Sequence, residues 1–173
     1  DIPHWVRLAA VPSRIPLLGD AFRHFSAALG LEHVFGPKVS GLLKYGGTYA
    51  GAYFLRRGLF MPWELDDVMD KDLVTEGVRR LRPIEHISET LQPEPRTSFG
   101  KVAALEAQLY MRNRLLRDAD WASMAHSLEV RVPLVDVQLL QAAAPAMILL
   151  PSGAGKRLLA TSPRSPLPPE IAG

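Results

Sequence analysis

A chain of 173 residues, of which 47% are hydrophobic, is long enough to form one domain with a hydrophobic core. The formal net charge of +2 gives little support to nucleic-acid binding, and the absence of cysteine excludes disulfides and thiol chemistry within the chain. The absence of cysteine fits the cytoplasmic location that we expect, and no apolar run approaches the roughly 18 residues that a membrane-spanning helix needs.

The first third of the chain predicts short helices separated by proline and glycine. Residues 1–16 contain three prolines, which predicts irregular structure. A helix is expected to begin at Asp20, its N-terminal cap, and to end at Gly30. Residues 37–57 are rich in apolar side chains but contain four glycines, so we expect a break or a close approach of two helices at residues 46–47. A phosphate-binding loop is the weaker alternative for this glycine pair, because no Lys-Ser/Thr follows it.

The middle of the chain predicts a helix over residues 63–81 with an acidic start and a basic end. The helix dipole explains the acidic residues Asp66, Asp67 and Asp70, and a metal site is the weaker alternative. Another short helix is expected over residues 84–91.

Residues 92–97 contain two prolines and form a candidate boundary between two helical halves. We expect both halves to belong to a single domain over residues 1–173, with Ser98 as the cap of the helix that follows the boundary.

Charged residues are threaded through an apolar stretch that extends from Leu105 to Asp136. An amphipathic helix is predicted as far as Leu116, followed by a polar break at residues 117–120 and a second helical run. Asp136 precedes an apolar run to Ala144 and is expected to cap that helix. Charges in such a stretch are expected to be paired or hydrogen-bonded. Two interpretations fit: a structural network of ion pairs and caps, and the wall of a polar active site.

The sequence from Asp120 to Asp136, DWASMAHSLEVRVPLVD, resembles the D-x-x-S-M-A-x-x-x-E-x-R-x-P-x-x-D signature of the asparagine synthetase family. One mild departure is Leu134-Val135, where the family usually has Phe-Leu. Downstream, residues 155–159 resemble the family's G-K-x-L-L element and residues 167–171 its L-P-x-x-I element. The resemblance is strong over roughly the last 70 residues.

The resemblance implies a fold and a site. The chain looks like the C-terminal helical portion of an adenine-nucleotide α-hydrolase-like synthetase domain, and the helical spacing and caps predict an all-α, irregular helical domain. Asp120 and Glu129 are candidate catalytic residues in the wall of the substrate pocket. Arg131 is expected to pair with Glu129 or Asp136, and Asp136 to cap its helix. Lys156 is a candidate phosphate contact, although a solvated lysine at a helix start is favoured; no metal ligand is predicted.

The resemblance also implies an activity of the parent protein. In that family ATP adenylates a substrate carboxylate, aspartate by default, and ammonia from glutamine displaces AMP, which is the reaction of asparagine biosynthesis. The family's phosphate loop S-G-G-x-D-S and its G-G-D-E-L-F-G-G-Y region are missing from this chain, so we expect an inactive fragment. ATP and Mg²⁺ are the expected cofactors of the full-length protein. The expected partners are the glutaminase and PP-loop portions of the same parent chain.

Two alternatives stay open. The same family includes enzymes that act on other carboxylates, in the synthesis of β-lactams, peptide macrocycles and modified surface sugars. In a different class, the chain is a non-catalytic helical interaction module that keeps the signature for packing.

Overall fold

The computed structural model of the chain describes residues 2–15, 17–30, 38–147 and 160–164 together with Pro168. Every regular element among these residues is helical, which confirms the prediction of an all-α fold. The chain divides into two compact units, residues 1–119 and residues 120–173. The candidate boundary at residues 92–97 lies inside the first unit.

Two helices open the first unit. Helix α1 covers Ile2–Ala9 and helix α2 covers Leu18–Ala28, with a 3-10 turn at Pro12–Arg14 between them. The prediction of irregular structure over residues 1–16 is therefore wrong for α1. Its proline, Pro3, lies in the first turn, where the backbone N–H has no acceptor within the helix and a proline costs little.

Helix α2 begins earlier than predicted and ends where predicted. Its N-terminal cap is Leu17, which makes no side-chain cap bond. Asp20 lies in the first turn instead and accepts a hydrogen bond from Lys44 Nζ at 2.8 Å. That hydrogen bond is the main cause of the lowered pKa of Asp20. Gly30 follows the helix with φ 65°, a conformation that glycine adopts at little cost.

A break at residues 46–48 separates helix α3, Leu42–Tyr45, from helix α4, Tyr49–Arg57. The predicted break is confirmed, and its cause is close packing, because a Cβ at Gly47 would overlap the hydroxyl of Ser13. The hydroxyl of Thr48 accepts a hydrogen bond from the N–H of Gly51 at 3.1 Å and caps α4.

The predicted helix over residues 63–81 is shorter in the structure. A 3-10 turn at Leu65–Asp67 comes first, and helix α5 covers Lys71–Leu81. Asp70 breaks the run because its carboxylate accepts the N–H of Asp72 at 2.9 Å and so becomes the cap of α5. Helix α6 follows at Pro83–Glu89.

A continuous helical run closes the first unit and enters the second. It comprises helix α7 at Ser98–Leu105, a π-helical segment at Glu106–Leu116 and helix α8 at Arg117–Met124. Thr97, rather than the predicted Ser98, caps it by accepting the N–H of Gly100 at 3.0 Å. The predicted break at residues 117–120 is wrong, because its charged side chains all point to solvent and leave the helix uninterrupted.

Helix α9 covers Val137–Met147 and passes through Pro145, beyond the predicted end near Ala144. Within the described part of the chain, no helix has the length and apolar character to cross a membrane.

The hydrophobic core belongs to the first unit. Helix α4 packs against α1 and α6, and it contributes three buried residues: Ala50, Ala52 and Tyr53. The other buried members of this cluster come from α1, from α6 with the residues after it, and from α7: Ile2, Ile87, Leu91 and Leu105. The core is therefore built around α4.

Candidate active-site segment

A defined helix end opens the signature segment. Helix α8 stops at Met124, and Ser127 adopts the left-handed conformation with φ 55°. The N–H of Leu128 donates to the carbonyl oxygen of Ser123, and the N–H of Ser127 donates to that of Met124, each at 3.0 Å. These two bonds form a Schellman motif, which ends a helix and turns the chain away from it. Glu129 directly follows Leu128, so this helix end determines where the non-helical stretch that carries Glu129 begins.

Asp120 lies on the exposed surface of α8. The hydroxyl of Ser123, one turn later, donates to the carbonyl oxygen of Asp120 at 3.1 Å and so satisfies its own hydrogen-bonding capacity within the helix. The carboxylate of Asp120 projects into solvent. A ligand could approach this carboxylate without displacing the backbone.

Glu129 and Arg131 form an ion pair in which Arg131 Nη2 lies 2.9 Å from Glu129 Oε1. Residues two apart share a face in a strand-like backbone but not in a helix, so both side chains project from one side of this non-helical stretch. The side chains of Arg131 and Glu129 are 84% and 70% exposed. The sequence predicted that Arg131 pairs with Glu129 or Asp136, and in the structure its partner is Glu129 in an exposed pair.

Asp136 occupies the cap position of α9. Its Oδ1 accepts a hydrogen bond from the N–H of Leu139 at 2.7 Å. A turn precedes it, in which the N–H of Val135 donates to the carbonyl oxygen of Val132 at 2.9 Å. The turn includes Pro133, whose fixed φ favours this geometry.

The apolar side chains of the segment are exposed as well. Trp121 is 64% exposed, and Leu128 and Val130 are also exposed. No residue of the segment belongs to the hydrophobic core cluster. The apolar side chains between Asp120 and Asp136 therefore lie outside the core of the first unit.

The remaining predicted site residues fall into two groups. Lys156 and the two downstream elements lie outside the described residues, apart from Pro168. In the described ranges, no three histidine, aspartate or glutamate side chains lie close enough to hold a metal ion. Asp70, one of the weaker metal candidates, caps α5 instead.

The sequence did not predict a polar cluster around Arg57 in the first unit. Arg57 donates two hydrogen bonds to Glu106, from Nε at 3.2 Å and from Nη2 at 2.6 Å, and its guanidinium carbon lies 3.8 Å from the ring centre of Tyr110. The hydrogen bond to Glu106 raises the pKa of Arg57. The cluster links α4 to the π-helical segment. Arg57 and Glu106 are 49 positions apart in the sequence, so no local spacing pattern indicates their contact.

The all-α fold and the signature from Asp120 to Asp136 place the chain in the class of asparagine synthase-like proteins. A sequence model of the family described as asparagine synthase matches residues 10–173. The chain therefore belongs to the asparagine synthase family. Comparisons with curated proteins and with solved structures found no match.

Proposed function

We propose that the chain is part of an ATP-dependent carbon–nitrogen ligase that adenylates a carboxylate and transfers ammonia to it. The observation that carries this proposal is the family match over residues 10–173, together with the intact signature from Asp120 to Asp136. Aspartate is the default acceptor and glutamine the default source of ammonia, which makes the parent protein a cytoplasmic amidotransferase of asparagine biosynthesis.

Asp120 and Glu129 are the residues that we assign to the wall of the substrate pocket. Both carboxylates are exposed within their unit, so a ligand reaches them without unfolding a helix. Arg131 orients the carboxylate of Glu129 through their ion pair. Asp136 fixes the start of α9 and thereby the end of the stretch that carries Glu129.

ATP would supply the adenylate and Mg²⁺ would neutralise the departing pyrophosphate when both are bound. The described residues do not fit these groups by themselves, because they contain no cluster of three metal-ligating side chains. The sequence also has no S-G-G-x-D-S loop. We therefore assign the nucleotide and the metal to the PP-loop portion of the parent chain, and the supply of ammonia to its glutaminase portion.

Exchange of pyrophosphate into ATP by the full-length parent protein tests the assignment of Glu129. The substitution Glu129→Gln keeps the shape of the side chain and removes its charge, and we expect the exchange rate to fall about 10²-fold. Asp120→Asn is expected to act in the same direction.

The matched control is Glu89→Gln, which changes an exposed glutamate at the end of α6 and should leave the rate unchanged. Full exchange activity in Glu129→Gln would contradict the pocket assignment. The isolated 173-residue chain is expected to show no exchange, and measurable exchange by that chain would contradict its assignment as a part that needs the rest of the enzyme.

A non-catalytic helical interaction module is the second candidate. The large apolar side chains of Trp121, Leu128 and Val130 favour it, because all three are exposed and could contact a partner. Carboxylate-dependent exchange by the full-length parent would exclude this candidate. Exchange with another carboxylate but not with aspartate would instead identify a family member with a different acceptor.

A further inference from the structure

A cleft of about 350 Å³ opens on the first unit where α5 meets α6. Its volume lies at the lower end of the range of small-molecule sites. Tyr45, Phe54 and Ile84 contribute to its apolar lining, and Arg79, Arg82 and Glu85 contribute charged groups. The family signature does not include any of these residues.

The aromatic part of the lining is held in place by ring packing. The rings of Tyr45 and Phe54 meet edge to face, with centres 5.5 Å apart and an interplanar angle of 67°. The ring of Tyr45 also stacks on that of Trp63, with ring centres 6.1 Å apart. Edge-to-face and stacked pairs of this kind fix ring orientation, so the cleft presents a preformed aromatic wall. Such a wall favours an apolar or aromatic ligand group.

Of the charged groups, Arg79 is already engaged, because Glu76 accepts two hydrogen bonds from its guanidinium at 2.7 and 2.8 Å. Arg82 and Glu85 differ: within the described part of the chain, neither side chain has a hydrogen bond or an ion pair. The cleft therefore holds one available cation and one available anion.

The backbone at Arg82 explains why these two charges do not pair with each other. Opposite charges three residues apart meet on a continuous helix. Arg82, however, precedes α6 in the left-handed conformation, with φ 42° and ψ 60°, and is not part of that helix. The same residue ends α5, where its N–H donates to the carbonyl oxygen of Val78 at 3.0 Å, and a left-handed residue is a common way to end a helix.

We propose that this cleft binds a free α-amino acid with an apolar or aromatic side chain. Arg82 receives the ligand's carboxylate, Glu85 receives its ammonium group, and the side chain lies against Tyr45 and Phe54. An apolar acid would leave Glu85 unmatched and an apolar amine would leave Arg82 unmatched, whereas the zwitterion matches both. The proposal does not depend on the ligase activity, because every lining residue belongs to the first unit.

Binding of L-phenylalanine to the 173-residue chain, measured by isothermal titration calorimetry, tests the proposal. Three further probes each remove one feature of the ligand. N-acetyl-L-phenylalanine lacks the ammonium group, L-phenylalaninamide lacks the carboxylate, and glycine lacks the side chain. We expect saturable binding of phenylalanine and at least about tenfold weaker binding of each other probe. No saturable binding of phenylalanine, or equal binding of the acetylated probe, would overturn the proposal.

Two substitutions assign the charges. Arg82→Asn removes the guanidinium and keeps a residue that tolerates the left-handed conformation. It should weaken binding of phenylalanine about tenfold and leave binding of phenylalaninamide unchanged, since the amide has no carboxylate for Arg82. Glu85→Gln should weaken binding of phenylalanine and leave binding of the acetylated probe unchanged.

The matched controls are Arg96→Asn and Glu89→Gln, which change exposed residues outside the cleft and should leave every affinity unchanged. Circular dichroism establishes that each variant is folded. If Arg82→Asn does not fold, Glu85→Gln decides the outcome. An unchanged affinity for phenylalanine in the folded variants overturns the proposal, and so does an equal loss in the controls.

Discussion

Short polar side chains at the first turns of helices satisfy backbone N–H groups that have no acceptor within the helix. Asp70 does this for α5, with Oδ1 2.9 Å from the N–H of Asp72 and 3.4 Å from the N–H of Leu73. Thr97 and Asp136 have the same role at α7 and α9. Removing such an oxygen leaves at least one N–H group to solvent alone, so each cap stabilises the fold individually.

The substitution Asp70→Ala is expected to lower the free energy of unfolding by about 1 kcal/mol, because it removes the acceptor at the start of α5. Urea denaturation followed by circular dichroism measures this change. Asp67→Ala is the control, since Asp67 is an exposed acid of the preceding 3-10 turn that caps no helix. Equal losses in the two variants would show that acidic charge, and not the cap, is what matters.

The ion pair of Arg131 with Glu129 allows a contrasting prediction. Because both side chains are largely exposed, Arg131→Ala should change the free energy of unfolding by less than about 0.5 kcal/mol. Thermal unfolding of the full-length parent measures it, with Arg114→Ala as the control for loss of an exposed arginine. A loss of several kcal/mol would show that the pair is buried in the parent protein.

At the scale of elements, glycines have opposite effects according to what surrounds them. Gly47 lies in the break between α3 and α4, where a Cβ would overlap the Ser13 hydroxyl and lie 2.8 Å from the carbonyl oxygen of Ala9. Gly77 lies in the middle of α5, and a Cβ there would meet nothing within 4 Å. The first glycine allows two segments to touch, and the second only weakens a helix.

Alanine substitutions at these two positions should therefore have opposite signs. Gly47→Ala is expected to destabilise the first unit by about 1–3 kcal/mol, since the backbone of Ala9 cannot move aside without disturbing α1. Gly77→Ala is expected to stabilise it by about 0.5–1 kcal/mol through helix propensity. The urea denaturation midpoint of each variant is compared with that of the unsubstituted 173-residue chain. Changes of the same sign would contradict the packing assigned to Gly47.

Element types were easier to predict from the sequence than element ends. The glycine pair at residues 46–47 predicted a break correctly, and helical spacing predicted α5 and α6. The capping residues were harder to predict. Thr97 and Ser98 both carry a hydroxyl group, and only the backbone conformation just before the helix makes Thr97 the cap. The uninterrupted run through residues 117–120 was missed for a related reason: a cluster of charges is as compatible with an exposed helix as with a loop.

At the scale of the whole molecule, the sequence predicted which residues are apolar but not which of them are covered. Leu55 and Leu128 are both apolar residues in predicted helices, yet Leu55 is buried beside the core of the first unit and Leu128 is exposed in the second. Burial depends on contacts between distant segments, which spacing along one chain does not encode. The cleft at Arg82 was missed for the same reason, because its lining extends from Tyr45 to Glu85.

The core of the first unit also determines how its stability should respond to alkaline pH. Tyr53 is buried in that core, and burial, reinforced by the negative charge of Glu106, raises the pKa of its hydroxyl above the ordinary value of 10.0. A group whose pKa is higher in the folded state contributes stability that is fully present below the unfolded pKa. That contribution is lost as pH rises through the folded pKa. The first unit should therefore lose stability above about pH 10.

Urea denaturation at a series of pH values measures this loss, and Tyr53→Phe separates it from other titrations. Every other group that titrates in alkaline solution is present in both the unsubstituted chain and the variant, so the two share that part of the response. Only the chain with Tyr53 must also accommodate a buried phenolate, or unfold to avoid it. We therefore expect a steeper loss of stability above pH 10 in the unsubstituted chain than in Tyr53→Phe. Parallel curves would mean that the Tyr53 hydroxyl ionises as readily in the folded chain as in the unfolded one, which would contradict its burial in the core around α4.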